Sequence, residues 1–197
     1  MSGSFFPMIA RMRYINRWGL MRNTDVENIQ EHSHMVAVLA HALAVIQNRY
    51  FGPQIDPGQA AVAALYHDAS EILTGDMPTP VKYKNEALRS AYKAVEQESA
   101  RLMASLQPEA LRGETEEFLT GRVLNDAERK ILKAADRLSA LIKCLEECQS
   151  GNREFEAARE QQLAALHGMD CPEAEYFITH MLPCYTQNLD ELTRGRF

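Results

Sequence analysis

No run in the 197-residue sequence approaches the roughly 18 consecutive apolar residues of a membrane-spanning helix. The most apolar stretch, Met35 to Ile46, is shorter and contains His41. No positive leader precedes the apolar residues between Met1 and Ala10, so the expected location is the cytoplasm, with no membrane partner. No block of like charges stands out either. With 21 Lys and Arg against 27 Asp and Glu, the formal net charge is -6, which argues against the broad basic footprint of a nucleic-acid-polymer binder. A local basic pocket for a small phosphorylated substrate remains compatible with that balance. The four cysteines, Cys144, Cys148, Cys171 and Cys184, include no C-x-x-C pair. Free thiols of a reducing compartment are therefore expected, not a disulfide framework or a thiolate metal site. Nothing alternates with period two, repeats internally or falls into low complexity, which leaves an all-α class.

A chain of this length buries roughly 70% of its unfolded surface, so it needs no metal merely to hold a core. We expect one domain over 1–197, with a core at about 14–150 and a helical extension over 151–197. Ser4 is placed to cap a first short helix through Arg13, and Asn16 to Asn28 reads as irregular. Apolar residues at helical spacing predict a helix from about Asn28 to Asn48. Asp56 followed by Pro57 signals the start of another, running to about Leu73 before Gly75. Pro78 and Pro80 make the next stretch a stiff loop. Further helices follow over about Asn85 to Leu106, from Asn125 or Asp126 to Gln149, over Arg153 to Leu166, and over Glu173 to Leu192 with an interruption at Pro183. Gly113 is expected to break the segment before Asn125.

Within these helices a few polar residues stand where burial is costly. His67 and Asp68 follow Ala64-Leu65-Tyr66 in an apolar segment. Such a pair must be hydrogen-bonded to each other, bound to metal or otherwise satisfied. Asp136 sits mid-helix among core residues, poor for both helix propensity and burial. His32 lies early in the preceding apolar helix. Two imidazoles and two carboxylates from three helices can converge in a bundle to hold a metal. A nitrogen and oxygen set without sulfur suits Co²⁺ or Mn²⁺ and admits Zn²⁺, Ni²⁺, Fe²⁺ or Mg²⁺. Glu71 follows Asp68 by one helical turn and is placed to move a proton; alone it would read as a solvated glutamate. His34 falls on another face of its helix, and His41 reads as a core or groove histidine.

The order His32, His67-Asp68, Asp136 resembles the HD superfamily of metal-dependent phosphohydrolases. Two longer runs resemble the YfbR-like bacterial 5'-deoxynucleotidases. One is Tyr66-His67-Asp68-Ala69-Ser70-Glu71-Ile72-Leu73-Thr74-Gly75-Asp76-Met77-Pro78-Thr79-Pro80-Val81-Lys82; the other is Ile15-Asn16-Arg17-Trp18-Gly19-Leu20-Met21-Arg22-Asn23, followed by Glu27-Asn28 and Glu31-His32-Ser33. The resemblance covers most of the first 140 residues in order, with a helical tail beyond Gly151.

The resemblance implies an HD-domain helical bundle, a homodimer, and hydrolysis of deoxyribonucleoside 5'-monophosphates. It implies that His32, His67, Asp68 and Asp136 hold one divalent ion per subunit, since the extra histidines that binuclear members place between the HD pair and the last aspartate are absent from Ala69 through Leu166, and that Glu71, Asp68 and Arg17 carry the catalysis. Arg17 would orient the phosphate and Trp18 would crowd the sugar against a 2'-hydroxyl. Asp76, Met77, Pro78, Thr79 and Lys82, with His32, Asp68 and Asp136, complete the implied substrate-binding set. The rival readings are a triphosphohydrolase of the same superfamily, which needs more converging Lys and Arg, and a non-catalytic nucleotide-binding module.

Overall fold

Helices account for every regular element in the computed structural model of the chain, which describes residues 3–52, 54–82 and 84–194. They are α1 (Phe5–Ile9), α2 (Ile29–Ile46), α3 (Pro57–Tyr66), α4 (Glu71–Thr74), α5 (Thr79–Lys82), α6 (Glu86–Ser105), α7 (Glu109–Leu119), α8 (Asp126–Gln149), α9 (Glu156–His167), α10 (Pro172–His180) and α11 (Leu189–Thr193). Short 3₁₀ turns follow α1, precede α9 and follow α10. An antiparallel bridge, Asn16 to Asn28, the one bridge among the described residues, closes the irregular segment before α2.

Local chemistry starts the central helices where expected. Asn28 accepts from the backbone of Gln30 and Glu31, and Glu31 returns a bond to the Asn28 N–H, a complete capping box. Asn125 and Glu128 form the same box at α8. Asp56 caps α3 with Pro57 in its first turn. Each cap fixes the helix start, and thereby which side chains face inward.

α2, α3 and α8 pack around one core, with Val36, Leu39, Leu43, Ile131, Leu138 and Leu141 at its centre. Ala60 and Ala64 face the same core, and side chains this small let α3 lie close to α2. A second cluster, Phe5, Met12, Ile29, Ala69, Met103 and Leu119, joins α1, the start of α2, α6 and α7. Ala64 belongs to the first cluster and Ala69 to the second, so the chain between them links the two.

Five expectations are corrected. Ser4 makes no side-chain cap, and the first helix tightens into a 3₁₀ turn over Ala10–Tyr14. α3 ends at Tyr66, not near Leu73. The bonds from Ala69 to Tyr66, Glu71 to Asp68 and Leu73 to Ser70 span three residues instead of four. The stiff loop is extended only through Pro78 and then forms the helical turn α5, because a proline in a first turn forfeits no bond. α7 runs straight through Gly113, whose exposed helical position costs only about 1 kcal/mol relative to alanine. His41 lies exposed on α2, not in the core.

The irregular segment over residues 15–28 is anchored to the far end of α8. Glu147, 1% exposed in its side chain, accepts from the backbone N–H groups of Thr24 and Asp25 and from Asn152, and pairs with Lys143. Lys143 also donates to the Asp25 carbonyl. Removing one member of a buried pair strands the other. Glu147→Ala is expected to lower the unfolding free energy by about 3–5 kcal/mol, read by urea denaturation.

Candidate active site

His67 and Asp68 lie in the turn that ends α3. The His67 Nδ1 lies 2.7 Å from the Ala64 carbonyl. A carbonyl only accepts, so Nδ1 carries a proton and donates it there, and Nε2 is the nitrogen left to face the cluster. That Nε2 is buried, has no hydrogen-bond partner, and lies 3.2 Å from Asp68 Oδ2. Two acceptors in such contact require a proton or a cation between them. Burial alone would lower the His67 pKa, yet the Asp68 carboxylate raises it to about 9. Asp68 shows the converse: burial pushes it up, but His67, His32 and Arg17 hold it well below the usual carboxylate range.

His32 enters from the first turn of α2 and is fully buried. Its Nδ1 is 3.0 Å from Ser139 Oγ, and its Nε2 is 3.1 Å from Asp136 Oδ1 and 3.6 Å from Asp68 Oδ2. The two imidazoles stand 5.4 Å apart between ring centroids. Ligand atoms of His32, His67 and Asp68 all lie within 4.8 Å of one another, a group that could hold a metal ion. Asp136 flanks this group through His32, with its side chain 42% exposed. The bond to His32 and the charge of both imidazoles hold the Asp136 carboxyl low against the effect of burial. The unsatisfied His67 Nε2, facing a carboxylate beside a second imidazole, fits a divalent cation.

Around the cluster the other expected residues are mostly assembled. Glu71 opens α4 and is 5% exposed, and one of its carboxylate oxygens has no partner. Burial first, and then the charge of Asp68, push its carboxyl up to about 9. Arg17 Nη1 reaches Asp68 Oδ2 at 3.5 Å. Asp76 lies against the Trp18 backbone N–H, and burial raises its carboxyl although Arg17 stands nearby. Met77 and Pro78 are half-buried beside it. Lys82 is drawn aside: its ammonium lies 2.7 Å from Glu96 and 4.8 Å from the centre of the Tyr92 ring. The Thr79 side chain lies outside the described residues. His67 also borders a cavity of about 190 Å³ with Ala63, Gln97, Phe118 and Leu132. A larger groove, about 620 Å³ beside Phe51 and Tyr176, contains none of these residues.

The family model of the YfbR-like 5'-deoxynucleotidases matches residues 4–185. The chain belongs to that family. The match extends through α10, well beyond the 140 residues over which the resemblance was legible. The 5'-deoxynucleotidase of Vibrio atlanticus is 43% identical over 189 residues, covering 96% of this chain and 97% of its own. The 5'-deoxynucleotidase YfbR of Escherichia coli is 43% identical over 190 residues, covering 96% of each. Among solved structures, an HD-domain phosphohydrolase from Listeria innocua superposes with a TM-score of 0.81 at 24% identity, over 96% of this chain and 92% of that one. A cyanophage S-2L HD phosphohydrolase, bound to dA and one catalytic Zn²⁺ ion, superposes at 0.69 and 21% identity, over 92% and 96%. These two likenesses establish the HD-domain fold of this family member.

Several residues that contact the expected site residues carry no sequence signal for that role. Ser139 is an ordinary helix serine in sequence, yet it engages His32 Nδ1. Glu27 accepts from both Arg17 Nε at 3.0 Å and Trp18 Nε1 at 2.9 Å. Phe155, from the tail, packs against Trp18 with ring centroids 5.3 Å apart and ring planes at 60°. Trp18 adopts a φ of 59°, a left-handed conformation costing about 1–2 kcal/mol for a side chain with a Cβ. A single positive-φ aromatic leaves no trace in sequence.

Partners that orient a metal-binding imidazole typically govern affinity. Ser139→Ala is expected to weaken Zn²⁺ or Co²⁺ binding about 10–100-fold, measured by competition with a chromophoric chelator.

Proposed function

We propose that this chain is a metal-dependent phosphoric monoester hydrolase that converts deoxyribonucleoside 5'-monophosphates to deoxynucleoside and phosphate. The observation that carries the reading is the convergence of His32, His67, Asp68 and Asp136 beside Arg17 and Glu71, in a chain 43% identical along almost its whole length to 5'-deoxynucleotidases.

In this reading His32, His67, Asp68 and Asp136 hold one divalent ion per subunit. A bound cation supplies positive charge against the charge developing on the phosphate and acidifies water. The donor set favours Co²⁺ or Mn²⁺ and accommodates Zn²⁺. Arg17 holds the phosphate through its guanidinium. Glu71, buried with an unpartnered oxygen, carries the proton that the leaving 5'-oxygen requires. Trp18 and Asp76, adjacent through the Trp18 N–H, take the sugar, with Met77, Pro78 and Thr79 along the same edge. Lys82 adds positive charge at longer range.

Residues 1–197 act as one HD domain in this proposal. The Trp18–Phe155 contact and the Arg22–Glu154 pair tie the tail over 151–197 to the core over 14–150. Exposed Val95 and Leu102, seven residues apart on α6, offer an apolar stripe to a second copy, which supports a homodimer. Among the described residues no helix is long and apolar enough to cross a membrane. The free, buried thiols of Cys144 and Cys171 fit the reducing cytoplasm. A triphosphate substrate fits less well, because Lys82 is already engaged by Glu96.

The test is phosphate release from deoxy- and ribonucleoside 5'-monophosphates, 3'-monophosphates and deoxynucleoside triphosphates, each with Co²⁺, Mn²⁺, Mg²⁺ or EDTA. Release confined to 5'-deoxymonophosphates and abolished by EDTA is expected. Release from triphosphates alone overturns the substrate assignment, and silence with metal bound points to a regulatory module. Glu71→Ala is expected to reduce kcat by about 10²–10⁴ while leaving metal binding intact.

A further inference from the structure

Glu27 grips two substrate-facing residues at three points. Its backbone carbonyl accepts from the Arg17 N–H at 2.9 Å. Its Oε2 accepts from Arg17 Nε at 3.0 Å and from Trp18 Nε1 at 2.9 Å. The other oxygen faces His32 Nδ1 at 3.9 Å, and the side chain is only 14% exposed. We propose that Glu27 is a positioning residue that sets the geometry of Arg17 and Trp18 together, and through Trp18 the preference for deoxyribose over ribose. The proposal rests on the phosphate and sugar roles given above to those two residues.

The physical case follows from what each contact restrains. Phe155 packs against the indole with the two ring planes at 60°, an apolar contact with no directional bond to fix the indole's rotation. The Glu27 bond to the indole N–H removes that freedom. Trp18 also sits in a backbone region that bulky residues keep only where their surroundings hold them. For Arg17, Glu27 takes the Nε edge and leaves the terminal nitrogens for a phosphate. Without Glu27, the carboxylate that Arg17 touches is Asp68, the residue placed in the metal cluster. One buried carboxylate therefore sets the arginine and the tryptophan in register, and it touches no reacting atom itself.

Trp18 is the one tryptophan in the chain, so its emission reports this contact without interference. Glu27→Ala removes both side-chain bonds. Glu27→Gln keeps an acceptor for the indole and loses the charge facing Arg17. For Glu27→Ala we expect red-shifted emission and stronger acrylamide quenching. We also expect a KM for a deoxynucleoside 5'-monophosphate raised roughly tenfold, and a deoxy-to-ribo ratio of kcat/KM lowered roughly tenfold. Glu27→Gln should keep the emission and the ratio while raising KM and weakening inhibition by inorganic phosphate. Wild-type emission, quenching and ratio in a folded Glu27→Ala protein overturn the proposal. If that variant does not fold, an unchanged KM and unchanged phosphate inhibition in Glu27→Gln overturn it instead. Trp18→Phe separates the two layers: a wild-type deoxy-to-ribo ratio there removes the sugar role of Trp18 and the sugar-selection half of the proposal with it, while emission and KM in the Glu27 variants still decide whether Glu27 positions the pair.

Discussion

The bond between His67 Nδ1 and the Ala64 carbonyl governs much of what surrounds it. In an uninterrupted helix that carbonyl would accept from the Asp68 N–H. With the imidazole on it instead, the helix ends at Tyr66 and tightens into bonds spanning three residues. The same bond places a proton on Nδ1 and turns Nε2 toward the Asp68 carboxylate. Backbone geometry and the shape of a cluster that could hold a metal thus share one hydrogen bond. The turn it creates also carries Glu71 into a buried position, where desolvation keeps its carboxyl protonated well above the ordinary range.

A second constraint acts on the segment before α2. That segment has one bridge and little regular structure, yet it carries Arg17 and Trp18. It is held from two directions. Glu27 binds both side chains from within the segment, and the buried Lys143–Glu147 pair holds the backbone of Thr24 and Asp25 from α8. Phe155 completes the frame from the tail. A segment with little regular structure is thereby restrained, and Arg17 and Trp18 are held in place relative to the His67-Asp68 turn.

Much of this was legible in the sequence because it depends on local rules. Capping residues and apolar spacing located α2, α6 and α8 to within a residue or two. Asp136 stood out because a carboxylate amid core residues needs a partner, and His67-Asp68 stood out for the same reason. The end of α3 was not legible: residues 64–73 have good helical pattern throughout, and only the imidazole reaching back to Ala64 ends it. Gly113 misled in the other direction, since an exposed helix absorbs one glycine at small cost. Ser139 and Phe155 carry no signal of their own, because their partners lie far away in sequence. Glu27 lies in a run that resembles the family, yet nothing in a glutamate marks that it will meet both Arg17 and Trp18.

By itself, the sequence determined the helical class, the ordered set of imidazoles and carboxylates, and the presence of an arginine and a lone tryptophan ahead of them. These follow from residue type and short-range spacing. Only the tertiary structure decided which lone pairs face which carboxylates, that Lys82 is engaged by Glu96, and that the tail backs the tryptophan. Those outcomes depend on the directions of hydrogen bonds and on contacts between segments as distant as Trp18 and Phe155. Spacing along a chain does not encode them; packing does.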